Sequence, residues 1–312
     1  MVAVACLNAA SPVAAQSPAV EARAGQEPIT PVPATPVPDP RRLALGEKLF
    51  SDPRLSHDAD RSCSSCHDIR TNGASANPHD ATPDGQPLAL NTPTVFNAGL
   101  NFRLNWEGKF RALEEQAEQT LRNPAIMASS MDEVAGRLRA DPDALRQFRD
   151  AYGREPDAAA VLDAIAIYER SLVTPASRFD RWLAGDADAI TPEELSGYQL
   201  FKSLGCIACH QGVNVGGNLF QRHGIFHPLG SPEPALVRVP SLRNVATTAP
   251  YFHDGSAATL PDAVNAMGVA QLDRVLTDRQ IAAIVAFLDT LTGAYQGRAI
   301  RPAAATPAAA LP

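Results

Sequence analysis

The chain has little charge, few aromatics and no long apolar run. Of its 312 residues 20% are charged, 6% are aromatic and 45% are hydrophobic, so sizeable cores can be buried and the length suggests about two domains. No stretch beyond the first residues reaches the roughly 18 consecutive apolar residues of a membrane span, which excludes a spanning helix. A formal charge of -7 argues against nucleic acid and leaves room for a basic partner, although ordinary solubility accounts for it equally well.

Cysteine is also scarce, five in all, and the placement of four of them is the most informative feature present. Cys63-Ser64-Ser65-Cys66-His67 and Cys206-Ile207-Ala208-Cys209-His210 both spell C-x-x-C-H, the attachment signature of a c-type haem. Two thiols add across the vinyl groups of one porphyrin, and the adjacent histidine is held beneath the iron as proximal ligand. Half a zinc site or a thioredoxin-like redox pair would also use C-x-x-C, but zinc does not call for a histidine directly after the second cysteine in both copies. Two covalently bound c-type haems are expected, and sparse aromatics suit domains whose centre is filled by a porphyrin.

Residues 1–16 are small and apolar, with Val13-Ala14-Ala15 reading as the end of a secretory signal cleaved near Gln16. The stretch lacks a basic n-region, so it reads as a remnant of a longer signal or a weak leader. Cys6 falls inside it, which favours a discarded cysteine over a lipoprotein anchor. Export to the periplasm agrees with haem attachment, which is made on the outer side of the bacterial membrane. Residues 17–40, rich in Pro and Ala, read as an extended tether without chemistry, and residues 299–312 as a disordered tail of the same kind.

Between these ends lies an internal repeat. Leu45-Gly46-Glu47-Lys48-Leu49-Phe50 precedes the first haem motif and Ser196-Gly197-Tyr198-Gln199-Leu200-Phe201 the second, each with a glycine four residues ahead of a phenylalanine. In a cytochrome c domain such a helix packs by its glycine against a C-terminal helix. The expected fold is therefore all-α, two tandem cytochrome c-like domains over residues 41–185 and 186–298. Helical patterns run through Leu113–Arg122, Met131–Arg139 after Ser129-Ser130, Val161–Leu172 and Ile281–Leu291 after Thr277-Asp278-Arg279-Gln280. Thr191-Pro192-Glu193-Glu194 caps another helix, and the Gly- and Pro-rich stretch from Gly212 to Pro250 reads as loop or short hairpin.

Further blocks surround the motifs in order: Asn91-Thr92-Pro93-Thr94-Val95-Phe96-Asn97-Ala98, Trp106-Glu107-Gly108, Leu113-Glu114-Glu115-Gln116-Ala117, Ser177-Arg178-Phe179-Asp180, Val239-Pro240-Ser241-Leu242-Arg243-Asn244-Val245 and Ala249-Pro250-Tyr251-Phe252-His253-Asp254-Gly255. Over about Arg41 to Gly293 the chain resembles the bacterial di-haem cytochrome c peroxidase family, which includes the MauG-type enzymes. The resemblance implies hydrogen peroxide reduction at the Cys63/Cys66/His67 haem and electron entry, from a small cytochrome c or a cupredoxin, at the Cys206/Cys209/His210 haem. It further implies Met267 as sixth ligand of the second iron, where MauG-type enzymes carry tyrosine, and Trp106 between the haems. It also implies a calcium ion held by Asn91, Thr248 and Pro250, the latter two through backbone carbonyls, and, often, a homodimer. A thioether ligand raises the potential of a His-ligated haem, as electron entry requires. Arg243 is read as a haem propionate partner, since a guanidinium pairs with a carboxylate bidentately. His253 is read as a propionate or calcium-region partner or a structural residue, and His223 and His227 as peripheral.

Two positions depart from the family pattern. In Asn123-Pro124-Ala125-Ile126-Met127, Ile126 stands where the peroxidases place a glutamate that moves the peroxide proton. The removable distal histidine corresponds to Pro83, leaving His79, His57 or no residue as sixth ligand of the first iron. Three readings follow: peroxide reduction with water or a carboxylate such as Glu115 or Glu118 standing in, oxidation of a partner protein as in MauG-type enzymes, or a di-haem electron carrier or gas-binding protein without turnover. The intact surrounding blocks favour the first.

Overall fold

Two pairs of helices, each crossed at a glycine, organise the computed structural model, which describes residues 26–34 and 38–303. The first region holds α1 (Pro40–Phe50), α2 (Leu113–Arg122), α3 (Met131–Ala140), α4 (Pro142–Tyr152) and α5 (Ala158–Ser171). Side-chain oxygens start most of them: Asp39, Ser130, Asp141 and Asp157 each accept from first-turn backbone N–H groups of α1, α3, α4 and α5. α1 crosses α5 so closely that a Cβ on Gly46 would overlap the Ala164 carbonyl oxygen. Phe50 and Tyr168 pack beside this crossing, 5.3 Å between ring centroids.

The second region repeats the arrangement with α6 (Arg178–Leu183), α7 (Pro192–Ser203), α8 (Leu260–Leu272) and α9 (Asp278–Asp289). Thr191 with Glu194 and Thr277 with Gln280 form capping boxes on α7 and α9. A Cβ on Gly197 would overlap the Ala283 carbonyl oxygen, so α7 crosses α9 as α1 crosses α5. Two small antiparallel sheets complete a mainly helical fold: β1 (Phe220–Arg222) pairs with β2 (Leu236–Arg238), and β3 (Ala294–Tyr295) with β4 (Arg298–Ala299).

Three sequence boundaries shift. Residues 26–34 are no free tether: Ile29 is fully buried in the second core and bridges to Gly212, while Glu27 accepts from Tyr198 Oη at 2.7 Å and Lys202 Nζ at 2.9 Å. The apolar side chain outweighs the extended Pro-rich backbone around it. Helix α6, placed by sequence in the first domain, buries Phe179, Trp182 and Leu183 in the second core, where Phe179 meets Tyr198 at 4.8 Å and Phe287 at 5.2 Å. At the far end Tyr295 and Ile300 pack with Phe50, Phe96 and Tyr168 of the first region, so Ala299 and Ile300 belong to the fold rather than to a tail. The first and last described segments thus cross, each packing on the other's domain. The signal expected over residues 1–16, Cys6 and the tail beyond residue 303 lie outside the described residues.

Candidate haem centres

Each C-x-x-C-H motif folds into a single 3-10 turn directed by its own backbone. At the first, Cys66 N and His67 N both donate to Cys63 O, at 3.2 and 2.9 Å; at the second, Cys209 N and His210 N donate to Cys206 O at 3.2 and 3.0 Å. Two thiols and an imidazole are thereby gathered on one turn. His67 Nδ1 donates to Gly73 O and His210 Nδ1 to Val215 O, both at 3.1 Å, which fixes the tautomer and leaves Nε2 as the coordinating nitrogen. Burial lowers the pKa of both rings, that of His210 to about 4, and so favours the neutral form a metal needs. Burial also pushes the Cys63 and Cys66 thiols up to about 12 and Cys206 up to about 11, the opposite of a thioredoxin-like thiolate pair. The donor sets fit two attached haems.

Around the second centre, Met267 lies half-buried on α8, on a face shared with buried Ala263 and Ala270. The same helix reaches the second haem turn, where a Cβ on Gly205 would lie 3.9 Å from Leu272 Cδ2. Arg243 departs from its expected role. Its side chain is 1% exposed, with Nη1 2.8 Å from Asp180 Oδ1, Nε donating to Val213 O and Nη2 to Thr30 O, each at 2.8 Å. Protein covers the guanidinium on every side, so it serves as a buried tie between the N-terminal strap, α6 and the second haem loop rather than as a propionate partner.

At the first centre, Ile126 packs against the same core as Cys63. Arg61 Nη1 donates to Ala81 O at 3.1 Å and to Ile126 O at 3.5 Å, which draws together the two segments that depart from the family pattern. Pro83 itself is exposed. His57 is exposed, with Nδ1 3.1 Å from Glu133 Oε1, a contact that ties it to α3 at the surface. His79 is half-buried, and its Nδ1 is buried without a hydrogen-bond partner. Glu115 is exposed and Glu118 pairs with Arg122 at 2.8 Å, so neither offers a buried acid. The buried acid is one the sequence reading passed over: Glu169 on α5, 8% exposed, its Oε2 unpartnered and its pKa raised by burial to about 8.

Trp106 is buried where the two regions meet, and its Nε1 donates to Asn91 O at 2.8 Å. Asn91 N donates to His253 O at 2.7 Å, and the indole packs edge to face on the His253 ring. Asn91 therefore faces the 247–255 segment that carries Thr248 and Pro250. Beside Trp106 lies Arg238, 5% exposed, whose Nε donates to Asn105 O at 3.1 Å and whose pKa falls to about 10 by burial. A guanidinium buried on neutral carbonyls suits an anionic group such as a propionate. The sequence signal was a lone arginine inside Leu236-Val237-Arg238-Val239. His223 lies against the Leu229 and Pro234 carbonyls and His227 against Asp273, both peripheral to the haem turns.

The di-haem cytochrome c peroxidase family matches residues 40–188, and the cytochrome c family matches residues 195–292. A cytochrome c551 peroxidase of Nitrosomonas europaea is 40% identical over 286 residues, 86% of this chain and 85% of that protein. This chain belongs to the di-haem cytochrome c peroxidase family. Cytochrome c peroxidase Ccp of Escherichia coli is 38% identical over 287 residues, 86% of this chain but only 62% of that longer protein. Among solved structures, a MauG-like protein associated with microbial copper homeostasis superposes with a TM-score of 0.72 at 27% identity, covering 84% of this chain and 93% of that one. The family's two cytochrome c-type domains and two haems are accordingly those of this chain. No helix among the described residues is long and apolar enough to cross a membrane.

Proposed function

We propose that this di-haem peroxidase is exported to the periplasm and reduces hydrogen peroxide to water with electrons from a small cytochrome c or cupredoxin. The observation that carries the reading is the inequality of its two centres. Both present a proximal histidine on a C-x-x-C-H turn, but Met267 shares the buried face of α8 at the second, whereas the apolar side chain of Ile126 borders the first. A thioether suits electron entry, and a centre without a permanent ligand suits substrate. The bound haems supply one-electron redox chemistry, one per centre, matching the two electrons that peroxide cleavage takes up. His67 and His210 hold the irons, Trp106 lies on the path between them, and Arg238 pairs with a propionate. Asn91, with the carbonyls of Thr248 and Pro250, holds a calcium ion through oxygen ligands, and a homodimer is the assembly the resemblance implies.

The test mixes fully reduced and half-reduced holoprotein with peroxide and follows oxidation of a reduced cytochrome c. Turnover by the half-reduced form is expected. No turnover, with both haems six-coordinate in the half-reduced spectrum, would establish a carrier instead. Ile126 favours one second reading, oxidation of a partner protein, whose signature is a crosslink or oxidised residue on that partner after peroxide treatment.

A further inference from the structure

Both ring nitrogens of His223 face backbone carbonyls: Nδ1 lies 2.9 Å from Leu229 O and Nε2 2.8 Å from Pro234 O. A carbonyl oxygen only accepts, so each nitrogen must donate, and only the doubly protonated imidazolium carries both protons. The neutral ring, in either tautomer, would set a lone pair against one of the two carbonyls. Ser231 O, from the same loop, accepts from His253 Nε2 at 3.1 Å, and the two imidazoles lie with centroids 4.4 Å apart. His253 is 3% exposed, and burial, then the charge of His223, holds its pKa below the ordinary histidine range, which keeps it the neutral member of the pair.

The other charged groups nearby are engaged elsewhere or exposed. Asp254 Oδ2 accepts from Ser231 N at 2.5 Å and Oδ1 from Ser256 N at 3.1 Å, His227 pairs with Asp273 at 2.8 Å, and Arg222 and Glu233 are exposed. The loop itself spans two functional regions. Gln271 Nε2 donates to Arg222 O at 3.0 Å and Phe226 N to Ala270 O at 2.9 Å, which ties its start to the end of α8, the helix that carries Met267. Its far part meets His253, whose ring packs on Trp106 and whose carbonyl accepts from Asn91 N.

We propose that His223 is a proton-operated latch: as an imidazolium it draws the Leu229 and Pro234 carbonyls onto one ring and holds the 223–234 loop against His253, beside the Trp106 contact. Hydrogen bonds from a charged donor are stronger than those from a neutral one, so the closed loop is most stable when the ring carries both protons. As pH rises the ring releases one proton to solvent, one carbonyl loses its donor, and the loop loosens. The latch needs neither peroxide nor a particular electron donor.

Hydrogen exchange of the holoprotein, read by mass spectrometry over residues 224–234 and corrected for the intrinsic pH dependence of amide exchange, tests the latch. Between about pH 5.5 and about pH 8.5 protection of this loop should fall roughly tenfold, as loss of one charge-assisted hydrogen bond implies, while α9 keeps its protection. In His223→Gln, whose side chain does not titrate, loop protection becomes independent of pH. His227→Gln, which removes the surface pair with Asp273, keeps the wild-type profile. Nitrogen-15 shifts of the His223 ring give a second measurement that needs no variant: both nitrogens carry a proton at the acid end and one does at the alkaline end, with a midpoint that matches the loss of protection. A flat wild-type profile, a His223→Gln profile as steep as that of wild type, a profile flattened by His227→Gln instead, or a neutral His223 ring in the protected loop overturns the proposal.

Discussion

Trp106 and His253 occupy equivalent places in two copies of one turn, and their rings pack edge to face with centroids 6.3 Å apart. Leu104 bridges to Phe110 as Tyr251 bridges to Ala257. The residue after each bridge start has a left-handed φ, 58° at Asn105 and 73° at Phe252, and each turn carries a glycine at φ 63° (Gly108) or 65° (Gly255). Earlier in each copy, Asn97 and Asn244, both at φ 61°, open short 3-10 turns, and their side-chain amides donate to the same Thr174 hydroxyl at 2.8 and 3.1 Å. The domain repeat visible before the haem motifs therefore extends past them, and the two copies face each other across the contact that holds Trp106.

If Trp106 carries electrons between the haems, Trp106→Phe slows peroxide-driven oxidation of the second haem and leaves the first haem's own reaction with peroxide unchanged. Loss of the indole N–H bond to Asn91 costs about 1 kcal/mol of stability besides. Rapid-mixing spectroscopy of the fully reduced protein separates the two phases, and wild-type kinetics at the second haem would remove Trp106 from the path.

Local signals were legible where chemistry or period is written into neighbouring residues. The haem turns are contiguous pentapeptides, α2 spans the expected Leu113–Arg122, and Thr277 with Gln280 caps α9 three residues apart. Long-range partnerships were not. Ile29 is one apolar residue among prolines and has no period to betray its burial. Arg243 looked like a ligand-binding arginine because its partner, Asp180, is distant in sequence. α6 was placed in the wrong core because adjacency in the chain does not say which way an apolar face turns. Glu169 had a signal that was passed over: it lies between Ile165 and Leu172 on the buried stripe of α5.

The glycine crossings differ from ordinary helix contacts in having no room for a methyl group. Gly197→Ala forces the Ala283 carbonyl away from α7, and Gly46→Ala does the same to Ala164. Each is expected to destabilise its own domain by about 1–3 kcal/mol. Gly136→Ala on α3, where a Cβ meets nothing within 4 Å, leaves the melting temperature unchanged or slightly higher. Equal effects at all three positions would mean the crossings are looser than they look.

Replacing Met267 by histidine exchanges a thioether for an imidazole, which lowers the potential of a His-ligated haem. In the Met267→His holoprotein the second haem takes electrons less readily and the first keeps its potential. An unchanged potential and spectrum would assign the sixth position to another residue.

At the first centre the expected gain comes from restoring an acid. Ile126→Glu places a carboxyl where Ile126 now packs against the core shared with Cys63, and general acid–base assistance is worth about 100-fold or more when the group is well placed. Peroxide reduction by the half-reduced protein should be faster in this variant. A rate equal to wild type would show that proton delivery is already supplied from elsewhere.

Glu169 makes stability depend on pH in a direction opposite to that of a salt-bridged acid. Its carboxyl, ordinarily near 4.5, is held to about 8 by burial, with the charge of Glu114 adding to the rise and Arg170 opposing it. Below about 4.5 the folded and unfolded chains both carry the proton, and the acid costs nothing through ionisation. Between about 4.5 and 8 the unfolded chain releases it while the folded chain keeps it, so this group's contribution to stability falls as pH rises, by at most about 1.4 kcal/mol per pH unit. Above about 8 both states are ionised and the loss levels off. Glu169→Gln, which cannot ionise, should flatten that window in urea titrations of the holoprotein and be the more stable form at pH 8. Parallel pH profiles for the two proteins would mean that Glu169 is already ionised in the folded state.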